Sequence, residues 1–442
     1  MNKTIVTGMQ AETKPSMDVF NQHESEVRSY CRSFTTVFNK ASNAMLWDAS
    51  GSRYIDFFAG AGSLNYGHNN PAIRRKLVDY MLEDGITHSL DMATKAKEQF
   101  LLRFHKTILQ PRGLDYKVMF PGPTGTNAVE SAMKIARKVT KRTTVLSFTN
   151  AFHGMTLGAL AATGNGYKRG GAGLPLLGTA FMPYDGYFGD DLNTADYMAK
   201  MLDDPGSGIE LPAAVIVETV QGEGGVNAAS VEWLRRIEKI CRSRGILLIV
   251  DDVQMGCGRT GTFFSFEEAG LKPDLVCLSK SIGGYGLPMA LTLIKPEHDI
   301  FGPGEHNGTF RGNNLGFIAA SEALEYWKDD RFSQAIAAKA KTIRASLQRI
   351  ADLLPDGTAV CKGKGLIQGL QFEDPKQASA LCKLAFENGL IMETSGPHDE
   401  VAKVMPPLTI EEEVLAEGLK ILERCASKLA IPQSKGKLAA VR

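Results

Sequence analysis

The sequence lacks the apolar runs that mark a membrane protein or an exported one. No stretch approaches the roughly 20 apolar residues of a membrane-spanning helix. The first residues, MNKTIVTGMQAETKPSMDVF, contain no apolar run long enough for a signal peptide. We therefore expect no membrane partner.

Cysteine is scarce and unpatterned. The seven cysteines are scattered, odd in number and mostly set in apolar stretches. No CxxC pair or Cys/His group has the spacing of a zinc site, so we expect no metal. The thiols are typical of reduced core cysteines, which predicts a cytoplasmic protein.

An excess of one charge is also missing. The 50 Lys and Arg residues against 49 Asp and Glu residues give a net charge of +1, without a long run of like charge. This argues against a nucleic-acid partner and favours small-molecule substrates. No clean GxGxxG follows a first strand and no Gly-Lys-Ser/Thr ends a loop, which disfavours nicotinamide and Walker-type nucleotide sites.

The 442 residues are too many for one hydrophobic core, so we expect more than one domain. The predicted divisions are an N-terminal segment over 1–70 that contributes to a small domain, a large ligand-binding domain over 71–320, a C-terminal small α+β domain over 321–430, and a disordered tail over 431–442.

The middle of the chain alternates short apolar runs with helical segments such as 127–139 and 231–244. This pattern predicts an α/β fold in which helices wrap a mostly parallel sheet, with strands buried on both faces. The strand candidates are 117–120, 143–148, 213–219, 246–250, 274–278 and 289–294. Further on, the sequence predicts helix over 317–353, strands over 366–372 and 390–394, and helices over 376–387 and 411–428.

Lys280 follows one of these strands after a single residue, Ser279, in PDLVCLSKSIGG. The simpler interpretation is a strand end that has reached water. Ligands of open α/β sheets, however, bind at the carboxyl ends of strands, and this lysine lies at such an end. Asp251 and Asp252 end the neighbouring apolar strand, where a carboxylate is a helix cap, part of a surface turn, or the partner of a buried cation.

Other polar and aromatic groups follow strand ends as well. FPGPTGTNAVESAMKIARK (120–138) places a Pro/Gly loop before a helix whose N-terminus can hold a phosphate, although many such loops bind nothing. Phe152 and His153 can stack on a flat ring or pack in the core. Glu218 and Glu223 flank a Gly-rich turn, either in solvent or facing a cation.

Taken together, these groups suit a single cofactor. A phosphate cradle, a carboxylate, an aromatic face and a lysine match the phosphate, ring nitrogen, ring and aldehyde of pyridoxal 5'-phosphate. Lys280 would bind the aldehyde as a Schiff base and, when released, move the substrate proton.

The order of these motifs resembles that of the class III (ω-)aminotransferases, which are pyridoxal phosphate enzymes of fold type I. The resemblance covers about residues 30–428, and the most specific part is DDVQ…GRTG followed by the strand-end lysine of LSKSIGG. The other matching stretches are TGTNAVESAMKIAR, FHGMTLGAL, ETVQGEGG, NGTFRGNN and MPPLTI.

The resemblance implies a role for each matching residue. Lys280 would be the Schiff-base lysine, Asp251 would pair with the ring nitrogen, and Gln254 would reach the ring hydroxyl. Val253 and Phe152 would enclose the ring, and Gly125 and Thr126 would hold the phosphate. Thr309 would reach the phosphate of a neighbouring subunit in a homodimer or larger homo-oligomer, while Glu218 and Glu223 would line the substrate side.

Two positions depart from the family pattern. Many relatives carry an arginine where this chain has Met155, and another shortly before PPLTI, where it has Lys403. A lysine cannot grip a carboxylate in the bidentate way of an arginine. The group that binds the substrate carboxylate is therefore left open, with Lys403 and its expected partner Glu223 on the substrate side.

Two further stretches, ESEVRSYCRSF and YIDFFAGAGSLNYGHNNP, are similar to a subfamily that makes L-2,4-diaminobutyrate from L-aspartate 4-semialdehyde with L-glutamate as amino donor, in the first step of ectoine biosynthesis. The resemblance implies this transamination. Ornithine, 4-aminobutyrate or a similar terminal amine is the alternative substrate. An aminomutase, racemase or decarboxylase of the same fold would use the same cofactor for different chemistry, and a non-catalytic binding protein would perform none.

Overall fold

The computed structural model describes residues 16–355 and 357–430. The predicted tail over 431–442 lies outside the described residues. Within them, no helix is long and apolar enough to cross a membrane, and no group of His, Cys, Asp and Glu side chains could hold a metal ion.

Seven strands form the central sheet. Six run in one direction, and only Leu291–Ile294 runs antiparallel to its neighbours. The strand order is Lys117–Met119, Leu291–Ile294, Leu275–Leu278, Leu247–Asp251, Ala214–Val217, Val145–Phe148 and Thr179–Met182. The predicted α/β fold with a mostly parallel sheet is confirmed.

The apolar strands pack on both faces of this sheet. In the strand Leu247–Asp251, Leu248 and Val250 belong to one hydrophobic cluster, whereas Leu247 and Ile249 belong to a second cluster. Because successive side chains of a strand point to opposite faces, both faces are covered by helices. This burial on both faces explains why the strands are continuous apolar runs without polar alternation.

The helices cover the sheet and link its strands. The α-helices are Asp18–His23, Tyr30–Ser33, Ala59–Gly62, Pro71–Leu82, Lys95–Phe104, Gly125–Thr140, Leu157–Ala162, Gly166–Gly170, Thr194–Asp203, Val231–Ser243, Asn314–Ala323, Arg331–Leu353, Pro375–Glu387 and Glu412–Ala430. Short π or 3-10 turns are His105–Leu109, Gln110–Arg112, Gly189–Asp191, Lys280–Gly283, Pro296–His298 and Leu324–Trp327.

Two four-stranded sheets and a small hairpin complete the fold. In the first sheet, Leu390–Ile391 pairs in parallel with Arg53–Asp56, next to Met45–Asp48 and Phe38–Ser42. The second sheet is antiparallel, in the order Ala359–Lys364, Ile367–Phe372, Val401–Val404 and Glu393–Ser395, and Val220–Gln221 pairs with Asn227–Ala228. The domain boundaries inferred from the sequence stay a prediction.

Several elements differ from the sequence prediction. The predicted strand 390–394 is split between the two four-stranded sheets, with Met392 between its halves. The predicted helix 317–353 is broken between Ala323 and Arg331 by a 3-10 turn. Strands that were not expected include Phe38–Ser42, Thr179–Met182, Ala359–Lys364 and Val401–Val404.

Candidate active site

A cavity of about 350 Å³ opens at the carboxyl edge of the central sheet. Its position agrees with the binding edge of open α/β sheets. Nine of the eleven residues predicted to form the site line it: Gly125, Thr126, Phe152, Glu218, Glu223, Asp251, Val253, Gln254 and Lys280. Lys403 lies behind Glu223, and Thr309 lies on an exposed loop of the same chain.

Lys280 enters the cavity from a strained turn. Its φ of 51° is in the left-handed region, which costs about 1–3 kcal/mol for a residue with a side chain. The turn is held by the Ser281 hydroxyl, which donates to the Gly62 carbonyl at 2.7 Å and accepts from the Asn65 N–H at 3.0 Å. The fully buried Arg259 donates in turn to the Asn65 side-chain oxygen. These bonds fix the direction of the lysine.

The charge state of Lys280 is set by its surroundings. Burial lowers the pKa of its amine; the Glu223 carboxylate opposes this and the Lys403 charge adds to it. Among the described residues, no carboxylate lies within ion-pair distance of the Lys280 amine. A lysine with a lowered pKa and no ion-pair partner is suited to act as a nucleophile and then as a base.

Asp251 is fixed between two donors. Its Oδ2 lies 2.7 Å from Nδ1 of the buried His153, and its Oδ1 accepts from the Val253 N–H at 3.1 Å. Because a carboxylate can only accept, Nδ1 of His153 carries the proton. The arrangement orients one carboxylate at the base of the cavity.

The N-terminus of the helix Gly125–Thr140 also faces the cavity. A Cβ at Gly125 would lie 2.8 Å from the Val253 side chain, so only a glycine lets the helix start approach this wall. The Thr126 hydroxyl lies 2.6 Å from the Thr156 hydroxyl. The first turn of a helix offers unpaired N–H groups and a positive dipole end, which suit a phosphate.

Glu218 and Phe152 form another side of the cavity. Burial raises the pKa of the Glu218 carboxyl well above its usual range, and the nearby Asp251 charge adds to this. One Glu218 oxygen accepts from the Phe152 N–H at 3.0 Å. Burial therefore favours the neutral form of the Glu218 carboxyl.

A charged cluster closes the opposite part of the site. The fully buried Lys403 amine lies 3.0 Å from Glu223 and 2.8 Å from Glu393. Burial alone would raise the pKa of Glu223, but the Lys403 and Lys280 charges and a hydrogen bond from Gln254 lower it to about 2. The Gln254 amide donates to Glu223 and to the Ala61 carbonyl, at 3.0 Å each.

Sequence reasoning missed two residues at this end of the site. Glu393 lies in the split strand region, and no sequence pattern connects it with Lys403. Lys168 lies in a Gly-rich segment, and its amine is 4.4 Å from the centre of the Phe152 ring. Met155, which takes the place of a family arginine, is 53% exposed and does not line the cavity.

Comparison with known proteins identifies the family. The family described as Aminotransferase class-III matches residues 28–426. The chain belongs to the class III aminotransferases. Its cofactor is pyridoxal 5'-phosphate.

Relatives of this aminotransferase carry a narrower name. Proteins named diaminobutyrate–2-oxoglutarate transaminase from Halalkalibacterium halodurans and Sporosarcina pasteurii are each 60% identical to it, over 94% of this chain and 98% of theirs. One of the same name from Streptomyces anulatus is 58% identical, over 95% of this chain and 99% of its own.

Solved structures share the fold. The ornithine aminotransferase of Toxoplasma gondii superposes with a TM-score of 0.81 at 26% identity, covering 94% of this chain and 93% of the other. An aminotransferase from Bacillus anthracis gives a TM-score of 0.82 at 23% identity, covering 93% and 98%. The predicted fold type I architecture is confirmed.

The residues of the cavity fit the cofactor of the family. The Lys280 amine has no ion-pair partner among the described residues, the Asp251 carboxylate is oriented, and the helix N-terminus at Gly125 suits a phosphate. Phe152 and Val253 supply apolar walls for a flat ring.

Proposed function

We propose that this aminotransferase transfers the amino group of L-glutamate to L-aspartate 4-semialdehyde, which gives L-2,4-diaminobutyrate and 2-oxoglutarate. The observation that carries the proposal is the 60% identity, over 94% of the chain, with proteins named for diaminobutyrate and 2-oxoglutarate. The ornithine aminotransferase with the same fold is only 26% identical, which favours diaminobutyrate over ornithine. The reaction is the first step of ectoine biosynthesis.

Three residues of the chain have separate catalytic or positioning roles in the proposed reaction. When bound, pyridoxal phosphate supplies a ring that accepts the electrons released at the substrate carbon. Lys280 holds the cofactor through its amine and moves the proton at the substrate carbon. Asp251 keeps the ring nitrogen protonated, and His153 holds the Asp251 carboxylate in place with its 2.7 Å contact.

The remaining residues hold and enclose the cofactor and substrate. Gly125 and Thr126 would hold the phosphate, and Phe152 and Val253 would supply the apolar walls for the ring. Gln254 would serve the ring hydroxyl; its amide now donates to the Ala61 carbonyl and to Glu223. Glu218 would line the same site.

Lys403 has a supporting role on the substrate side. Two carboxylates already surround its amine, so it is poorly placed to bind a substrate carboxylate. Its charge keeps Glu223 ionised at the wall of the cavity. Glu223 then presents a carboxylate to the amino group of an incoming substrate.

The test is a transamination assay on the purified protein loaded with pyridoxal phosphate. L-2,4-Diaminobutyrate and 2-oxoglutarate should be consumed together, with one glutamate formed for each amine lost. We expect kcat/KM for diaminobutyrate to exceed that for ornithine by about tenfold or more, since one methylene changes the fit.

Two results would contradict the proposal. Equal or faster turnover of ornithine or 4-aminobutyrate would keep the family and overturn the substrate. Loss of diaminobutyrate without glutamate formation would point to a racemase, aminomutase or decarboxylase.

We further propose that the enzyme is at least a homodimer in which Thr309 reaches the phosphate in the partner's site. Thr309 is exposed, and its carbonyl accepts from His88 at 3.1 Å. Exposed apolar side chains lie in the two segments that this contact joins, as expected of an interface. They include Ile86, Leu90, Met92 and Phe310.

Sedimentation velocity tests the dimer. The holoenzyme should sediment as a dimer or larger homo-oligomer, and Phe310→Glu should shift it toward monomer with loss of activity. A fully active monomer would rule out the shared site.

We also propose a cytoplasmic location. All seven cysteines are free thiols, and four of them are buried. This is the state expected of a protein in a reducing compartment.

A further inference from the structure

Lys168 is a half-buried lysine beside the cofactor cavity. Its amine lies 4.4 Å from the centre of the Phe152 ring, which itself lines that cavity. Lys168 also lines two neighbouring cavities, of about 1490 Å³ and 210 Å³, and Glu223 borders all three. The lysine therefore lines the two outer cavities, and the smaller of them shares Phe152 and Glu223 with the cofactor cavity.

Three of the other cations around these cavities are already engaged, whereas the exposed Lys383 of the outer cavity has no ion-pair partner among the described residues. Lys403 contacts two carboxylates, Arg32 pairs with Glu26, and Arg53 pairs with Glu417. In the part of the chain that the structure describes, no carboxylate lies within ion-pair distance of the Lys168 amine. Lys168 is thus available to a ligand that carries a negative charge.

The backbone around Lys168 is firmly held. Its N–H donates to the Asn165 side chain at 3.0 Å, at the start of the helix Gly166–Gly170. The adjacent Arg169 donates from Nη1 to three carbonyls of the preceding segment, those of Leu160, Ala161 and Thr163, at 2.8–3.2 Å. Arg169 therefore anchors the helix, and the Phe152 ring supports the Lys168 amine through a cation–π contact.

The two amines of the proposed reaction, L-glutamate as donor and L-2,4-diaminobutyrate as product, share one feature. In L-glutamate the side-chain carboxylate is separated from the reacting carbon by the same number of carbon–carbon bonds as the α-carboxylate of diaminobutyrate. In ornithine the separation is one bond longer. A single cation at a fixed place can therefore serve both half-reactions of the proposed enzyme and disfavour ornithine.

We propose that Lys168 binds this distal carboxylate and takes over the task that the family gives to an arginine at the position of Met155. The inference rests on the proposed function for the identity of the substrates. It makes Lys168 a specificity-determining residue that acts on the end of the substrate away from the reacting carbon.

Binding of glutarate to the holoenzyme tests the inference without turnover. Glutarate has the carbon skeleton and both carboxylates of glutamate, but no amine to transfer. By titration calorimetry, Lys168→Met should raise its Kd about tenfold or more, because one charge-assisted hydrogen bond is lost. Lys168→Arg should retain most of the affinity. Lys383→Met, which removes another lysine of the outer cavity, should leave it unchanged.

Kinetics with matched substrates separate carboxylate binding from a structural role. Lys168→Met should raise KM for L-glutamate and L-2,4-diaminobutyrate about tenfold. The same variant should leave kcat/KM unchanged for 1,3-diaminopropane, which is diaminobutyrate without its carboxylate. Melting temperatures report whether each variant is folded.

Three outcomes would overturn the inference. These are an unchanged glutarate Kd in Lys168→Met, no glutarate binding by the wild-type holoenzyme, or an equal loss with 1,3-diaminopropane. If Lys168→Met does not fold, weak glutarate binding by a folded Lys168→Gln variant supports the inference and wild-type binding overturns it. If the wild-type enzyme does not transaminate diaminobutyrate, the proposed function fails, whereas the glutarate series still decides the role of Lys168.

Discussion

Lys280→Ala is expected to lower kcat at least ~1,000-fold, because the variant loses both the covalent bond to the cofactor and the base that moves the substrate proton. Of the other amines near the cavity, that of Lys403 is held by Glu223 and Glu393 and that of Lys168 lies against the Phe152 ring, so neither takes over. Lys280→Arg should lose as much activity, since a guanidinium keeps the charge but is not a nucleophile.

Steady-state transamination and thermal melting measure this effect together. Both variants should melt close to the wild-type temperature, because the turn around Lys280 is held by Ser281 and Asn65 rather than by the lysine. Lys200→Ala is the control, because it removes an exposed helical lysine that is distant from Lys280 in the sequence. This variant should keep full activity. Substantial transamination by Lys280→Ala would remove the lysine from the mechanism.

Asp251→Asn is expected to lower kcat about a hundredfold or more, because a neutral amide no longer holds the proton on the ring nitrogen. The change is nearly isosteric, and the Val253 N–H can still donate to the remaining carbonyl oxygen. Absorbance of the bound cofactor should show that the variant still binds it. The loss should therefore appear in kcat.

Asp252→Asn is the matched control for this carboxylate. Asp252 is fully buried, accepts from the Ser265 N–H at 3.1 Å and does not line the cavity. Burial raises its pKa to about 7, so an amide resembles the protonated side chain that burial favours. The control should keep most of the activity, and a near-normal rate in Asp251→Asn would assign the ring nitrogen to another group.

The sequence was most informative where backbone geometry alone brings residues together. Asp251, Lys280 and Glu218 each follow an apolar strand, and parallel strands bring their carboxyl ends to one edge. The strand runs were recognisable because burial on both faces removes polar alternation. Nine predicted site residues consequently line one cavity.

The sequence was least informative about Glu393. Glu393 and Lys403 pair across an antiparallel strand pair that was not predicted, whereas Glu223 was expected as the partner of Lys403 from the family resemblance. A lysine inside the short strand Val401–Val404 gives no alternating pattern, so neither the strand nor its burial was predicted. Glu393 is found only once the strand register is known.

Edge elements were missed for another reason. The strand Thr179–Met182 lies at the margin of the sheet and is only partly buried, so its apolar signal is weak. The helix that carries Lys168 has only five residues and begins and ends with glycine. Its place beside Phe152 depends on the anchoring bonds of Arg169, which no local pattern reveals.

The sheet that joins Arg53–Asp56 to Leu390–Ile391 can be completed only late in translation. Its first three strands leave the ribosome long before the fourth is translated. Until then, the N–H groups of Ile55 and Phe57 lack their acceptors, the carbonyls of Gly389 and Ile391. During that interval the open edge is a template for any other extended chain. This edge of the nascent sheet therefore stays unpaired until nearly all of the residues have been synthesised.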